Sequence, residues 1–242
     1  MEQLLTSEGL ISLLTLTALE IVLGIDNVIF ISIITGQLPE HQEKKARVLG
    51  LMVAMAVRIL LLMGLTYIIA WGEMELFSIL GHGFSMRDLI LLVGGLFLMA
   101  KSTSEIHKKM EEDEELNEGK KKMSLFQAIL QIVAIDVVFS FDSILTAVGL
   151  VDHVEIMIVA VVISMTVMIG FSQLISNFIE EHPTFKVLAL SFLVLIGFLL
   201  VMEGFHYEIP KGYVYFAIGF SFIVEVINMR VRKKKIERKA SS

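Results

Sequence analysis

Apolar runs long enough to cross hydrocarbon, about 20 residues each, recur along almost the whole chain. Seven are separable, near 10–35, 48–71, 88–105, 125–151, 154–179, 185–205 and 212–229. With 55% apolar residues in 242 and a mean hydropathy of +0.77, little sequence is left for a water-facing domain. The predicted fold class is therefore all-α, a polytopic bundle of seven transmembrane helices. The third run is interrupted by Lys101 and reaches full length only if that side chain snorkels or faces the bundle interior. The first residues, MEQLLTSEGLIS, lack the basic region of a signal peptide, so the first run is expected to stay as an anchor. Cysteine is absent, which excludes disulfides, thiolate metal sites and Cys nucleophiles.

Loop charge sets the expected orientation. Lys44, Lys45 and Arg47 lie in 36–47, a lysine-rich and acidic stretch fills 106–123, and the tail after 229 is strongly basic. The intervening connections near 72–87, 152–155 and 206–211 carry at most one Lys or Arg each. Basic loops face the cytoplasm, so the N-terminus is expected outside the bacterial inner membrane and the C-terminus in the cytoplasm. The net charge of −6 averages separated blocks and signals no nucleic-acid partner.

The chain also repeats itself. ALEIVLGIDNVI (18–29) aligns without gaps on AIDVVFSFDSIL (134–145), setting Glu20 on Asp136, Asp26 on Asp142 and Asn27 on Ser143. GLFLMAK (95–101) aligns on GFLLVME (197–203), setting Lys101 on Glu203. Three spans in 1–105 thus correspond to three in 125–205, joined by a charged cytoplasmic linker at 106–124. The seventh span and basic tail, 206–242, stand outside the repeat. An odd number of spans per unit forces the two units into opposite orientations, the inverted repeat of many secondary transporters, whose sites lie near the midplane.

A carboxylate within hydrocarbon costs about 3 kcal/mol on insertion scales. Glu20, Asp26, Asp136 and Asp142 all sit well inside two spans, against one internal counter-charge, Arg58. Cations, protons or both must balance the remainder. Residues six apart on a straight helix point about 120° from each other, whereas residues seven apart nearly coincide. Breaks at Gly24 and at the matching Ser140 are expected to let the acids, Asn27 and Ser143 converge. Ligands that are all oxygen suit Mg²⁺, Ca²⁺ or Mn²⁺; the residues alone reach a hard divalent cation or a proton-coupled path. The plainer reading of any single acid is a structural partner for Arg58. Lys101 and Glu203 either pair with each other, gate the path, or snorkel. The 14 Met residues read as packing filler. An intramembrane aspartyl protease using Asp26 and Asp142 would also need two acids on separate spans, but such enzymes share a GxGD motif, and here LGI precedes Asp26 and FSF precedes Asp142.

EIVLGIDNVIFI (20–31), DVVFSFDSILTAVG (136–149), GGLFLMAKSTSEIH (94–107) and EGFHYEIPKGYVYFAIGFSFIVEVINMR (203–230) resemble the signature segments of the TerC family of bacterial membrane proteins. The likeness runs from about residue 10 to 230. It implies membership of the LysE superfamily of exporters and export of Mn²⁺, with Glu20, Asp26, Asn27, Asp136, Asp142 and Ser143 matching the family's acidic motifs. Some relatives append a cytoplasmic module, which this chain is expected to lack. No enzyme activity or resident cofactor is expected. The expected partners are a divalent metal ion as cargo and the lipid bilayer, with contacts to secretion machinery or to a second copy left open. An accessory role, supplying metal to secreted proteins, requires the same site.

Overall fold

The computed structural model describes residues 6–64, 67, 75–79, 82–111, 123–148, 151, 153–207 and 209–240. The chain divides into two units, Met1–His206 and Tyr207–Ser242, taken here in turn.

The first unit opens with α1, Ser7–Thr35, capped by the Thr6 hydroxyl, which accepts from the Gly9 N–H at 3.1 Å. That cap satisfies an otherwise orphaned amide, and 29 residues rise about 44 Å, more than the hydrocarbon thickness. Next comes α2, Glu40–Met63, which starts eight residues before the expected 48. Pro39 leads into it, and Glu40 and Glu43 place negative charge at the positive end of the helix dipole. Helix formation thus begins in the polar segment before the apolar run. The expected loop at 72–87 contains a short antiparallel hairpin, β1 (Glu75–Ile79) with β2 (His82–Ser85). Phe77 and Phe84 face each other across it with ring centroids 5.4 Å apart.

Ser85 then begins α3, Met86–Glu111. Its hydroxyl accepts from the Asp88 N–H, while Asp88 Oδ2 accepts from the Ser85 N–H at 2.8 Å, a reciprocal capping box. The same device starts α4, Leu125–Val148, with Ser124 and Gln127 exchanging backbone and side-chain bonds. Two further helices follow, α5 (Val154–Glu181) and α6 (Pro183–Gly204), separated only by His182. Proline at the first position of α6 allows this tight start because its missing N–H would be unpaired there anyway.

Sequential neighbours are not the main packing partners. The most extensive contacts join α3 to α6, α1 to α5, and α2 to α4 and α5. Val28, Ile34, Leu51, Ile132, Met165 and Leu190 are buried at these contacts, whereas Leu14, Leu60, Phe126 and Phe171 are well exposed. Such an apolar surface is solvated by lipid chains, so close packing rather than water exclusion favours helix association.

The second unit is dominated by α7, Lys211–Ala240. By length and composition, six helices among the described residues can cross a membrane: Ser7–Thr35, Glu40–Met63, Met86–Met110, Val154–Glu181, Pro183–Gly204 and Gly212–Val231. The apolar part of α4 is shorter, Leu125–Phe141, although the whole helix rises about 36 Å over its 24 residues. The chain is thus an all-α membrane protein with a small hairpin attached.

Candidate functional site

The innermost charges belong to three helices. Glu20 lies midway along α1, Arg58 on the second half of α2, and Asp136 midway along α4. Arg58 is 2% exposed, and its guanidinium donates from Nη1 to Glu20 Oε2 at 2.5 Å and from Nη2 to Asp136 Oδ1 at 2.8 Å. Its Nε donates to Ser140 Oγ at 2.8 Å, and the Ser140 hydroxyl donates onward to Asp136 Oδ2 at 3.1 Å. Asp136 and Ser140, four apart, share one helix face. A planar guanidinium offers five donors in a fixed fork, which suits one cation held between two carboxylates and a hydroxyl. With both acids ionised the cluster carries one net negative charge. A narrow cavity reaches Glu20, walled by Leu16, Leu62, Ile144, Met157 and Ala160. Glu20 is the one polar residue among the described residues that line it.

Arg58 thus bonds two of the four acids. The side chains of Asp26 and Asp142 lie outside the described residues. Their backbones continue α1 and α4 six residues past Glu20 and Asp136, about 9 Å of rise. Contacts fix the helix directions. Gly50 meets Ile132 and Arg58 meets Asp136 and Ser140, so α2 and α4 run parallel, while α1 runs opposite to α2. Asp26 and Asp142 are thus displaced from the centre toward opposite ends.

The expected helix breaks are not present. Both α1 and α4 are continuous through Gly24 and Ser140. Convergence does not need them, because the acids that meet come from different helices. Gly24 instead admits Met168 of α5, whose sulfur lies 2.3 Å from where a Cβ at 24 would stand, and Ser140 is a ligand of Arg58. Asn27 is buried, and its Oδ1 has no hydrogen-bond donor among the described residues. Ser143 turns its hydroxyl back to the Ser140 carbonyl at 3.2 Å.

Lys101 and Glu203 do not pair with each other. Lys101 Nζ reaches Glu105 at 3.0 Å, one turn along α3, and Glu203 is bonded by Arg87. The reason is geometric. The helices α3 and α6 run antiparallel and cross where Gly95 meets Gly197. Lys101 and Glu203 each lie six residues past the crossing in opposite directions, about 18 Å apart along the axis. Beside Arg87 and Glu203, His206 Nε2 bonds Asp88 Oδ2 at 2.9 Å, with His206 held at φ 64. This polar end, which ties the hairpin, α3 and α6 together, was not anticipated from sequence.

Nor was Met168. A repeat match that would have found it is AMAVRI (54–59) on SMTVMI (164–169), which sets Arg58 on Met168. No group of three His, Asp or Glu side chains suited to a metal gathers among the described residues.

The chain matches the integral membrane protein TerC family over residues 5–240. It belongs to that family. A UPF0053 protein of Haemophilus influenzae is 50% identical over 227 residues, covering 93% of this chain and 95% of the relative. The UPF0053 inner membrane protein YgdQ of Escherichia coli is 49% identical over 223 residues, with 91% and 92% covered. The UPF0053 inner membrane protein YoaE of Escherichia coli is 47% identical over 233 residues, which are 95% of this chain but 44% of that protein. No solved structure matches. With these relatives, the TerC chain is a multi-pass protein of the bacterial inner membrane.

Proposed function

We propose that this TerC protein is a secondary transporter that exports a divalent cation, Mn²⁺ foremost, by alternating access between two inverted three-helix repeats. The observation that carries the reading is the meeting of Glu20 and Asp136 at one buried guanidinium. These two acids are repeat equivalents, and residues related by an inverted repeat coincide in depth only near the midplane. Two further facts support the repeat. The aligned glycines, Gly95 and Gly197, touch each other, and each is also met by the counterpart of the other's neighbour, Val201 and Met99. The helix pairing is likewise symmetric, since exchanging the two triplets turns α1 against α5 into α4 against α2.

In this reading the Arg58 cluster is the closed centre of the path. Asp26 and Asp142 flank it toward opposite ends and receive the cation from either side. Two carboxylates and one guanidinium leave a negative charge that favours a cation over an anion. The N-terminus faces outside and the C-terminus the cytoplasm. Manganese comes from the family likeness, and the chain acts without enzyme chemistry.

The test is Mn²⁺ flux in proteoliposomes of the purified protein, with a pH gradient imposed or removed. Asp26→Asn and Asp142→Asn are each expected to abolish flux and to make cells accumulate manganese. Normal efflux in both variants would sink the proposal.

A further inference from the structure

We propose that the mobile cation binds on one side of the Arg58 cluster only, in a half-site formed by Glu20, Asn27 and the thioether of Met168. The inference rests on the transport reading above and specifies its ligands. The repeat match makes Arg58 of α2 and Met168 of α5 counterparts, and the packing agrees. Arg58 lies against Ser140 of α4, and Met168 lies against Gly24 of α1. Ser140 and Gly24 are themselves aligned. The fold therefore offers two related half-sites that are filled differently. Beside Asp136 and Ser140 stands a tethered cation, the guanidinium. Beside Glu20 and Gly24 stands a neutral sulfur, and the Glu20 carboxylate only shares with Asp136 the one guanidinium of the other half-site.

Three groups belong to the second half-site. Glu20, Gly24 and Asn27, at i, i+4 and i+7, share one face of α1. The lack of a side chain at Gly24 lets the Met168 sulfur approach that face between the other two. Asn27 is 6% exposed, and its Oδ1 is an acceptor without a donor among the described residues. A buried acceptor in that state costs free energy unless a donor or a cation meets it. Glu20 contributes charge, Asn27 a carbonyl-type oxygen and Met168 a soft, polarisable ligand. Thioethers bind Mg²⁺ and Ca²⁺ poorly and tolerate softer divalent ions, so this ligand discriminates among cations that oxygen alone would accept.

The chain has no cysteine, so any sulfur bound to a metal must come from methionine. Full-length protein in lipid nanodiscs is loaded with Cd²⁺ as a soft probe and measured by X-ray absorption at the cadmium edge. One sulfur among oxygen neighbours is expected in the wild type. Met168→Leu should show oxygen neighbours only, and Met165→Leu, one turn away on α5, should keep the sulfur. Oxygen neighbours alone in the wild type, or a sulfur that survives Met168→Leu, would overturn the assignment. In proteoliposomes, inhibition of Mn²⁺ flux by excess Mg²⁺ should strengthen about tenfold in Met168→Leu, the change for one ligand worth about 1.4 kcal/mol. Unchanged discrimination would count against the thioether. Wild-type liposomes that pass no divalent cation would refute the transport reading, while the absorption spectrum would still report on the half-site.

Discussion

Arg58 and its three partners form a set in which no member is separable from the rest. Burying an ion pair gains little over apolar packing, but removing one partner leaves an uncompensated charge. Arg58→Met would leave Glu20 and Asp136 without the guanidinium that bridges them, and is expected to cost about 3–5 kcal/mol of stability. Adding Asp136→Leu to Arg58→Met removes one of the stranded charges and should recover a substantial part. Thermal unfolding of both variants in detergent, followed by intrinsic fluorescence, checks the order. Glu20, Asp136 and Arg58 were legible in the sequence because an ionisable side chain inside an apolar run is costly enough to need a reason. Met168 and the Ser140 hydroxyl were not. A sulfur and a hydroxyl cost little in a span, so nothing about either residue taken singly marks its role.

Hydropathy located the spans, since burial in lipid leaves a continuous apolar signal. It misplaced the start of α2, where the polar segment EHQEKKAR is helical but not apolar. It also passed over the hairpin, whose two short strands are built from local pairing rather than a long pattern. The expected breaks at Gly24 and Ser140 failed because the spacing argument sought convergence within one helix, whereas Glu20 and Asp136 converge between helices. At Gly95 the backbone itself is the constraint. An added Cβ would lie 2.6 Å from the Gly197 carbonyl oxygen and 3.0 Å from the Val201 nitrogen, and neither can rotate away. Gly95→Ala is therefore expected to lose about 1–3 kcal/mol through overpacking. Gly170→Ala, with nothing within 4 Å, should be neutral or gain up to about 1 kcal/mol in helix propensity. Parallel melting curves separate a crossing constraint from a general intolerance of larger residues.

For the whole molecule, the failed pairing of Lys101 with Glu203 is as informative as the successful meeting of Glu20 with Asp136. If the two triplets were related by translation, aligned residues would share a depth everywhere. In an inverted relation they share it only near the axis and separate with distance from it, as Lys101 and Glu203 do. The proposed inversion requires the end of α1 at Ser7 and the end of α6 at its cap, Phe205, to open on one side, and those of α2 and α3 that carry Lys45 and Met110 on the other. All four residues are exposed, and the absence of cysteine makes single replacements readable without background. In right-side-out spheroplasts, a membrane-impermeant maleimide should label Ser7→Cys and Phe205→Cys. Lys45→Cys and Met110→Cys should react only after the membrane is permeabilised. Labelling of Ser7→Cys and Lys45→Cys from the same side would remove the crossing of α1 and with it the inversion. The opposite labelling of all four would keep the inversion and reverse the expected orientation, placing Lys44, Lys45 and Arg47 outside against the charge rule for cytoplasmic loops.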